Sequence, residues 1–171
     1  MKLLSFDNLD KHVPLYVKND EGQYELATPA QILAGSRQVV DLFFTPGTLY
    51  NNPSEVKAFL SGKLAGLEHE VCGVIFLDNQ LRLIEYKEMF HGSINQASVY
   101  PREIARTALH LNASAVVISH NHPSGTAEPS NADIELTKHL VKALKLLEIR
   151  LIDHILVAGA KTVSFAEKRL M

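Results

Sequence analysis

Residues 115–133 read AVVISHNHPSGTAEPSNAD, a strand, a polar loop and a helix start in succession. Ala115–Ser119 is apolar and β-branched, the composition of a central strand. A polar loop follows from His120 to Pro129. Pro123 drives His122 toward extended backbone, so no helix passes through the two histidines. Ser130 then caps a helix whose apolar positions are Ile134, Leu136, Leu140, Val141, Leu144 and Leu147.

The same alternation continues outward in both directions. Upstream, Pro101 opens a helix with Ile104, Ala105, Ala108, Leu109 and Leu111 on one face. Val71–Leu77 is an apolar run suited to a buried strand, Asp78-Asn79 turns the chain, and Leu81–Lys87 returns as a second strand. Val56, Leu60, Leu64 and Leu67 recur at helical spacing from Ser54 to about Leu67. Downstream, Ile149–Val157 reads as a strand, Gly159 as a turn and Thr162–Ser164 as a last strand, with Ser164 capping a C-terminal helical turn. Strands alternating with helices predict an α/β domain with helices packed on a central sheet.

The first fifty residues read differently. Leu15–Asn19 and Gln23–Ala27 form two short strands around Asp20-Glu21-Gly22, and Thr28-Pro29 starts a helix toward Phe44. Thr45–Pro53, with proline, glycine and two asparagines, reads as a loop or linker. The expected division is an N-terminal extension over residues 1–52 and a single domain over residues 53–171.

Composition narrows the function. The chain has 171 residues, 46% of them apolar, enough for a sizeable core without staples. A single cysteine, Cys72, excludes an internal disulfide and reads as a small core residue. No run approaches the roughly 20 apolar residues that span a bilayer. Met1–Asp10 lacks the apolar core of a signal peptide, so a cytoplasmic location is expected and no membrane partner. The formal net charge is −2 and no long lysine or arginine run occurs, which argues against non-specific nucleic-acid binding.

The chemistry lies in His120, His122 and Asp133. Histidines at i and i+2 on extended backbone point the same way and can place two imidazole nitrogens on one ion. Asp133, in the first turn of the next helix, can turn its carboxylate back toward the strand end. Three protein ligands and an open fourth position make a catalytic zinc site; iron and manganese also suit imidazole and carboxylate. Zinc needs a nearby carboxylate to carry a proton. Glu68 and Glu70 both precede the strand at Val71, and Glu70 is the better placed. Ser130 could donate to a developing oxyanion. Ser130 and Asp133 also fit a plain helix-capping pair, and Ser130 alone a plain N-cap. His69, His91, His110 and His139 have no partner spacing, and His154 after Asp153 reads first as a buried hydrogen-bonded pair with it, and second as a residue that orients a metal ligand.

The pattern His-x-His, seven residues, Ser, two residues, Asp matches without a gap the JAMM motif of the JAB1/MPN metalloprotease superfamily. Glu70-Val71-Cys72-Gly73-Val74 resembles that family's Glu-x-Cys-Gly strand. More closely, the chain resembles the bacterial RadC-like (UPF0758) branch, through Glu68-His69-Glu70-Val71, Phe76-Leu77-Asp78-Asn79-Gln80, Val99-Tyr100-Pro101-Arg102-Glu103, His120–Gly125, Pro129-Ser130, Asp153-His154 and Ser164-Phe165-Ala166-Glu167. The likeness covers about residues 53 to 169.

The resemblance implies a JAB/MPN fold, a curved mixed sheet between helices related to cytidine deaminases. It implies zinc on His120, His122 and Asp133, Glu70 as acid/base and Ser130 near the oxyanion. Relatives of known activity cut peptide or isopeptide bonds, so a peptide or protein-conjugate substrate is the first expectation. A nucleic-acid-associated repair role, suggested by the RadC label, and a non-catalytic scaffold are the rivals. Long members of the branch carry an N-terminal helix-hairpin-helix region. The first fifty residues here lack its paired glycines, Gly35 standing alone, so direct DNA contact is not expected. The chain is more similar to short RadC-like proteins of mobile elements.

Overall fold

In a computed structural model, residues 14–92 and 99–171 are described. The leader reading of Met1–Asp10 lies outside them. Two short strands, β1 (Tyr16–Lys18) and β2 (Tyr24–Leu26), pair antiparallel with Tyr16 opposite Leu26. The Asn19 side chain accepts from the Glu21 and Gln23 amides and shapes their turn. Helix α1 (Pro29–Phe43) begins with a capping box between Thr28 and Gln31 and buries no residue completely. It lies along α2 (Pro53–Leu64), where Arg37 donates to the Ala65 carbonyl at 3.1 Å and Lys63 pairs with Asp41.

The main sheet has five strands in the order β4-β3-β5-β6-β7. They are β3 (Val71–Leu77), β4 (Leu83–His91), β5 (Ala115–Asn121), β6 (Arg150–Ala158) and β7 (Lys161–Ser164). The β5–β6 pair is parallel and the others antiparallel, so the sheet is mixed. The parallel step needs a crossover, which α4 (Asn131–Lys145) supplies. The remaining helix, α3 (Pro101–His110), precedes β5.

Side-chain alternation divides the core into two layers. Val71, Ile75 and Leu77 of β3, Ala115 and Val117 of β5, and Ile155 and Val157 of β6 face α2. Cys72, Val74, Phe76, Val116 and Ile118 face α3 and α4. Both faces are covered, so β3 and β5 are buried along their whole length, which is why their sequences run continuously apolar instead of alternating. On one side α2 contributes Phe59, Leu60 and Leu64, at most 1% exposed, each stabilising by about 1.5–3 kcal/mol.

Several boundaries differ from expectation, each for a local reason. Strand β5 continues through Asn121 rather than stopping at Ser119, because His120 and Asn121 pair with Leu156 and Val157 of β6. Strand β4 runs on to His91, following β3 to its start at Val71. The segment at 45–53 is docked rather than free: Tyr50 is buried between Phe44 and Phe59, Leu49 bridges Arg82, and Asn52 caps α2. Helix α2 stops at Leu64, short of Leu67. Leu109 and Leu147, expected on buried faces, are exposed; Leu147 lies beyond the end of α4. Among the described residues no helix is long and apolar enough to cross a membrane.

Candidate metal centre

His120 and His122 share the parity of Val116 and Ile118, so they leave β5 on the face covered by α4. The chain then turns at once. The Gly125 amide donates to the His122 carbonyl at 3.0 Å, and Gly125 takes φ +76°, where a side chain would be strained. This turn brings the Thr126 carbonyl 3.0 Å from His122 Nδ1. A carbonyl only accepts, so Nδ1 of His122 carries a proton, and in the neutral ring Nε2 is then bare.

Asp133 enters from the first turn of α4. Its amide donates to Ser130 Oγ at 3.1 Å, and its Oδ2 accepts from the Ser130 amide at 2.8 Å and the Ser130 hydroxyl at 2.7 Å. The capping-pair reading of these two residues is therefore fulfilled, and the box aims the carboxylate at the histidines. His120 Nε2 lies 3.2 Å from His122 Nε2 and 3.5 Å from Asp133 Oδ1, while His122 Nε2 lies 3.6 Å from Asp133 Oδ2. Burial alone would raise the Asp133 carboxyl. When His120 carries a proton on Nε2, the hydrogen bond and charge from that ring, with the Ser130 donors, instead hold it well below the usual carboxylate range.

The donor set fits a cation. Bonds of about 2.0–2.2 Å to a tetrahedral zinc place ligand atoms about 3.3–3.6 Å apart, close to the three separations found here. Among the described residues this is the one group of three or more histidine, cysteine or acidic side chains whose ligand atoms lie so near one another. The cluster can hold a metal ion; the donor chemistry favours no closed structural site, since only three residues converge.

Glu70 stands immediately before β3, half-buried, whereas Glu68 is exposed. Cys72, two residues after Glu70, pairs with His120. Glu70 is not one of the three clustered groups. Asn121 ties its segment down: Oδ1 accepts from the Val71 amide at 2.8 Å, and Nδ2 donates to the His69 carbonyl at 3.0 Å. Cys72 is a buried thiol, pushed up to about 12 by burial and then by the charge of Glu70, and it is not one of the three clustered groups.

A family model described as the RadC-like JAB domain matches residues 50–170. The chain belongs to this family. Its relatives include a UPF0758 protein of Vibrio cholerae, 46% identical over 138 residues, covering 81% of this chain and 87% of that one. A UPF0758 protein of Methylibium petroleiphilum is 45% identical over 150 residues, 88% of this chain and 68% of the other. One from Stenotrophomonas maltophilia is 43% identical over 177 residues, 96% and 76% of the two chains.

The mixed sheet flanked by four helices agrees with a RadC-like JAB domain, and the structure gives physical reasons for its motifs. Gly73 in the Glu-x-Cys-Gly strand faces Tyr86 of β4, whose ring and hydroxyl occupy the space a Cβ would take. Asp153 accepts from the Ser164 hydroxyl at 2.5 Å and the Ala166 amide at 3.0 Å, fastening the C-terminal turn. Ser164 caps that turn through the Glu167 amide at 3.0 Å, as the sequence predicts.

Three contributors were not singled out from the sequence: Asn121, the Thr126 carbonyl and Thr137. Thr137 is findable because it lies four residues after Asp133, one turn along the same helix face. Asn121 is findable because, in a strand, it must point away from its two histidine neighbours. His154 sits at 1% exposure with Nε2 2.8 Å from His120 Nδ1, and burial, then the charge of His120 whenever that ring is protonated, pushes its pKa well below the ordinary histidine value.

Proposed function

We propose that this chain is a zinc-dependent hydrolase, working in the cytoplasm, that cuts an amide bond in a peptide or protein conjugate. The observation that carries the reading is the convergence of His120, His122 and Asp133 at tetrahedral spacing; Glu70 stands directly before β3, whose Cys72 pairs with His120. Zinc bound there would polarise the scissile carbonyl and lower the pKa of water toward about 7. Glu70 takes the proton of the attacking water and returns it to the leaving nitrogen. Asn121, through Val71 and His69, holds Glu70 at the strand start. Ser130 keeps Asp133 oriented; its further part, holding the oxyanion, requires its hydroxyl to turn away from Asp133 Oδ2.

The test uses the full chain, purified without chelators, against peptides and isopeptide-linked conjugates. Amide cleavage that falls about 10²–10⁴-fold in Glu70→Gln, with metal retained, supports the reading. Full metal loading with no cleavage of any amide would overturn it. Metal-dependent cleavage of DNA in place of amides would replace it with the nucleic-acid reading.

A further inference from the structure

We propose that Thr137 and His154 are positioning residues: a directional hydrogen-bond relay that fixes the tautomer of His120 and keeps its Nε2 bare toward His122 and Asp133. The inference deepens the metal-site reading and rests on it for its purpose, though not for its geometry. The chain of contacts begins in α4. Thr137 Oγ1 lies 2.6 Å from the Asp133 carbonyl oxygen and 2.6 Å from His154 Nδ1. His154 Nε2 lies 2.8 Å from His120 Nδ1.

Each of these contacts is too short to exist without a hydrogen between the two atoms, and with His154 neutral each link has only one way to supply it. The carbonyl of Asp133 has no hydrogen, so the Thr137 hydroxyl donates to it. That uses the one proton of the hydroxyl, so Thr137 Oγ1 accepts from His154 and Nδ1 of His154 carries the proton. A neutral imidazole has one such proton, so His154 Nε2 is bare and accepts from His120 Nδ1–H. His120 Nε2 is then bare. His122 reaches the same state independently through the Thr126 carbonyl.

Reversing the relay fails at its first link. If His154 Nε2 donated to His120, its bare Nδ1 would need the Thr137 proton. Two oxygens of Thr137 and Asp133 would then stand 2.6 Å apart with no hydrogen between them. Two bare nitrogens and a carboxylate facing one another repel unless a cation lies among them, so the relay holds the donors in a metal-ready state. Phe165, fully buried, stacks on His154 with ring centroids 4.3 Å apart and planes inclined by 23°, which fixes the ring for this task. The histidine ligand thus has another histidine as its orienting partner, where a carboxylate, backbone carbonyl or water is usual.

The test is long-range proton–nitrogen correlation spectroscopy of the metal-free full chain at about pH 8, above the ordinary histidine range. Protonated and bare ring nitrogens resonate far apart, so the tautomers are read directly. The expected result is Nδ1–H at His120, His122 and His154. Nε2–H at His120 or His154, or protons on both nitrogens of His154, would overturn the relay. Thr137→Val removes the acceptor and is expected to shift His154 and His120 toward Nε2–H and to weaken zinc binding about 10–100-fold. Thr137→Ser, which keeps the hydroxyl, is expected to restore both. Unchanged tautomers in a folded Thr137→Val chain would also overturn it. Because the spectra are taken without metal, failure of the relay is distinguishable from failure of the metal reading, which shows as absent zinc uptake with the predicted tautomers in place.

Discussion

Replacing Asn121 by leucine should separate the two halves of the centre. Asn121 is 3% exposed and its amide orientation is set by its partners: a donor at Val71 requires the oxygen there, and the His69 carbonyl requires the nitrogen. Leucine keeps the volume and loses both bonds. The Val71 amide, at the buried start of β3, is left without its partner at about 1–3 kcal/mol, and the lost bond to His69 adds about 1 kcal/mol. The expected destabilisation is therefore about 2–4 kcal/mol, a Tm lower by roughly 4–16 °C for a chain of this size. Asn121 faces the α2 side and the histidines face α4, so metal uptake should remain at wild-type stoichiometry. Glu70, one residue before Val71, loses its anchor, and a displacement of about 1 Å at such a group costs around 10²-fold in rate. Urea denaturation, elemental analysis and an amidase assay read the three consequences. A stability change below about 0.5 kcal/mol, or loss of metal from a folded variant, would refute the reasoning.

Two further predictions concern the layers around the site. Gly73→Ala should destabilise by about 1–3 kcal/mol because the new methyl meets the Tyr86 ring, and adding Tyr86→Phe should recover part of the loss, since the hydroxyl is the nearest atom and has no hydrogen-bond partner. Equal stability of Gly73→Ala and wild type in thermal unfolding would contradict the packing account. His154 is neutral in the folded chain with its pKa depressed by burial, while the unfolded chain takes up a proton near 6.5. Unfolded chains thus bind more protons in the window below about 6.5. Stability is fully present above that pH and is lost as pH falls, by up to about 1.4 kcal/mol per unit. His154→Gln should flatten this slope in urea titrations, and an unaltered slope would show that another group carries it.

The sequence was most legible where physics leaves one solution. Val71–Leu77 and Ala115–Ser119 are short, apolar and rich in β-branched residues, which suits buried strands, and the structure buries every residue of both. The His-x-His pair could be read because Pro123 forces extended backbone, and extended backbone sends alternate side chains the same way. Less legible was how far each element runs. Strand β5 gains His120 and Asn121 from pairing with a strand some thirty residues later, which no local window reveals. Tyr50 gave no sign that its loop was docked, because its burial depends on Phe44 and Phe59 in two different helices or their ends. The relay from Thr137 to His120 is readable only in part: the helical spacing from Asp133 suggests Thr137, while its junction with His154 is made by the crossover that brings α4 onto β6.

Metal content shows whether His120, His122 and Asp133 form a metal centre. The full chain, purified without chelators and after incubation with zinc, should carry about one zinc per chain by elemental analysis. His120→Ala/His122→Ala should carry none, and Glu70→Gln should keep the wild-type content. Absence of metal from the folded wild type after zinc is supplied, or equal metal in the double-histidine variant, would contradict the account.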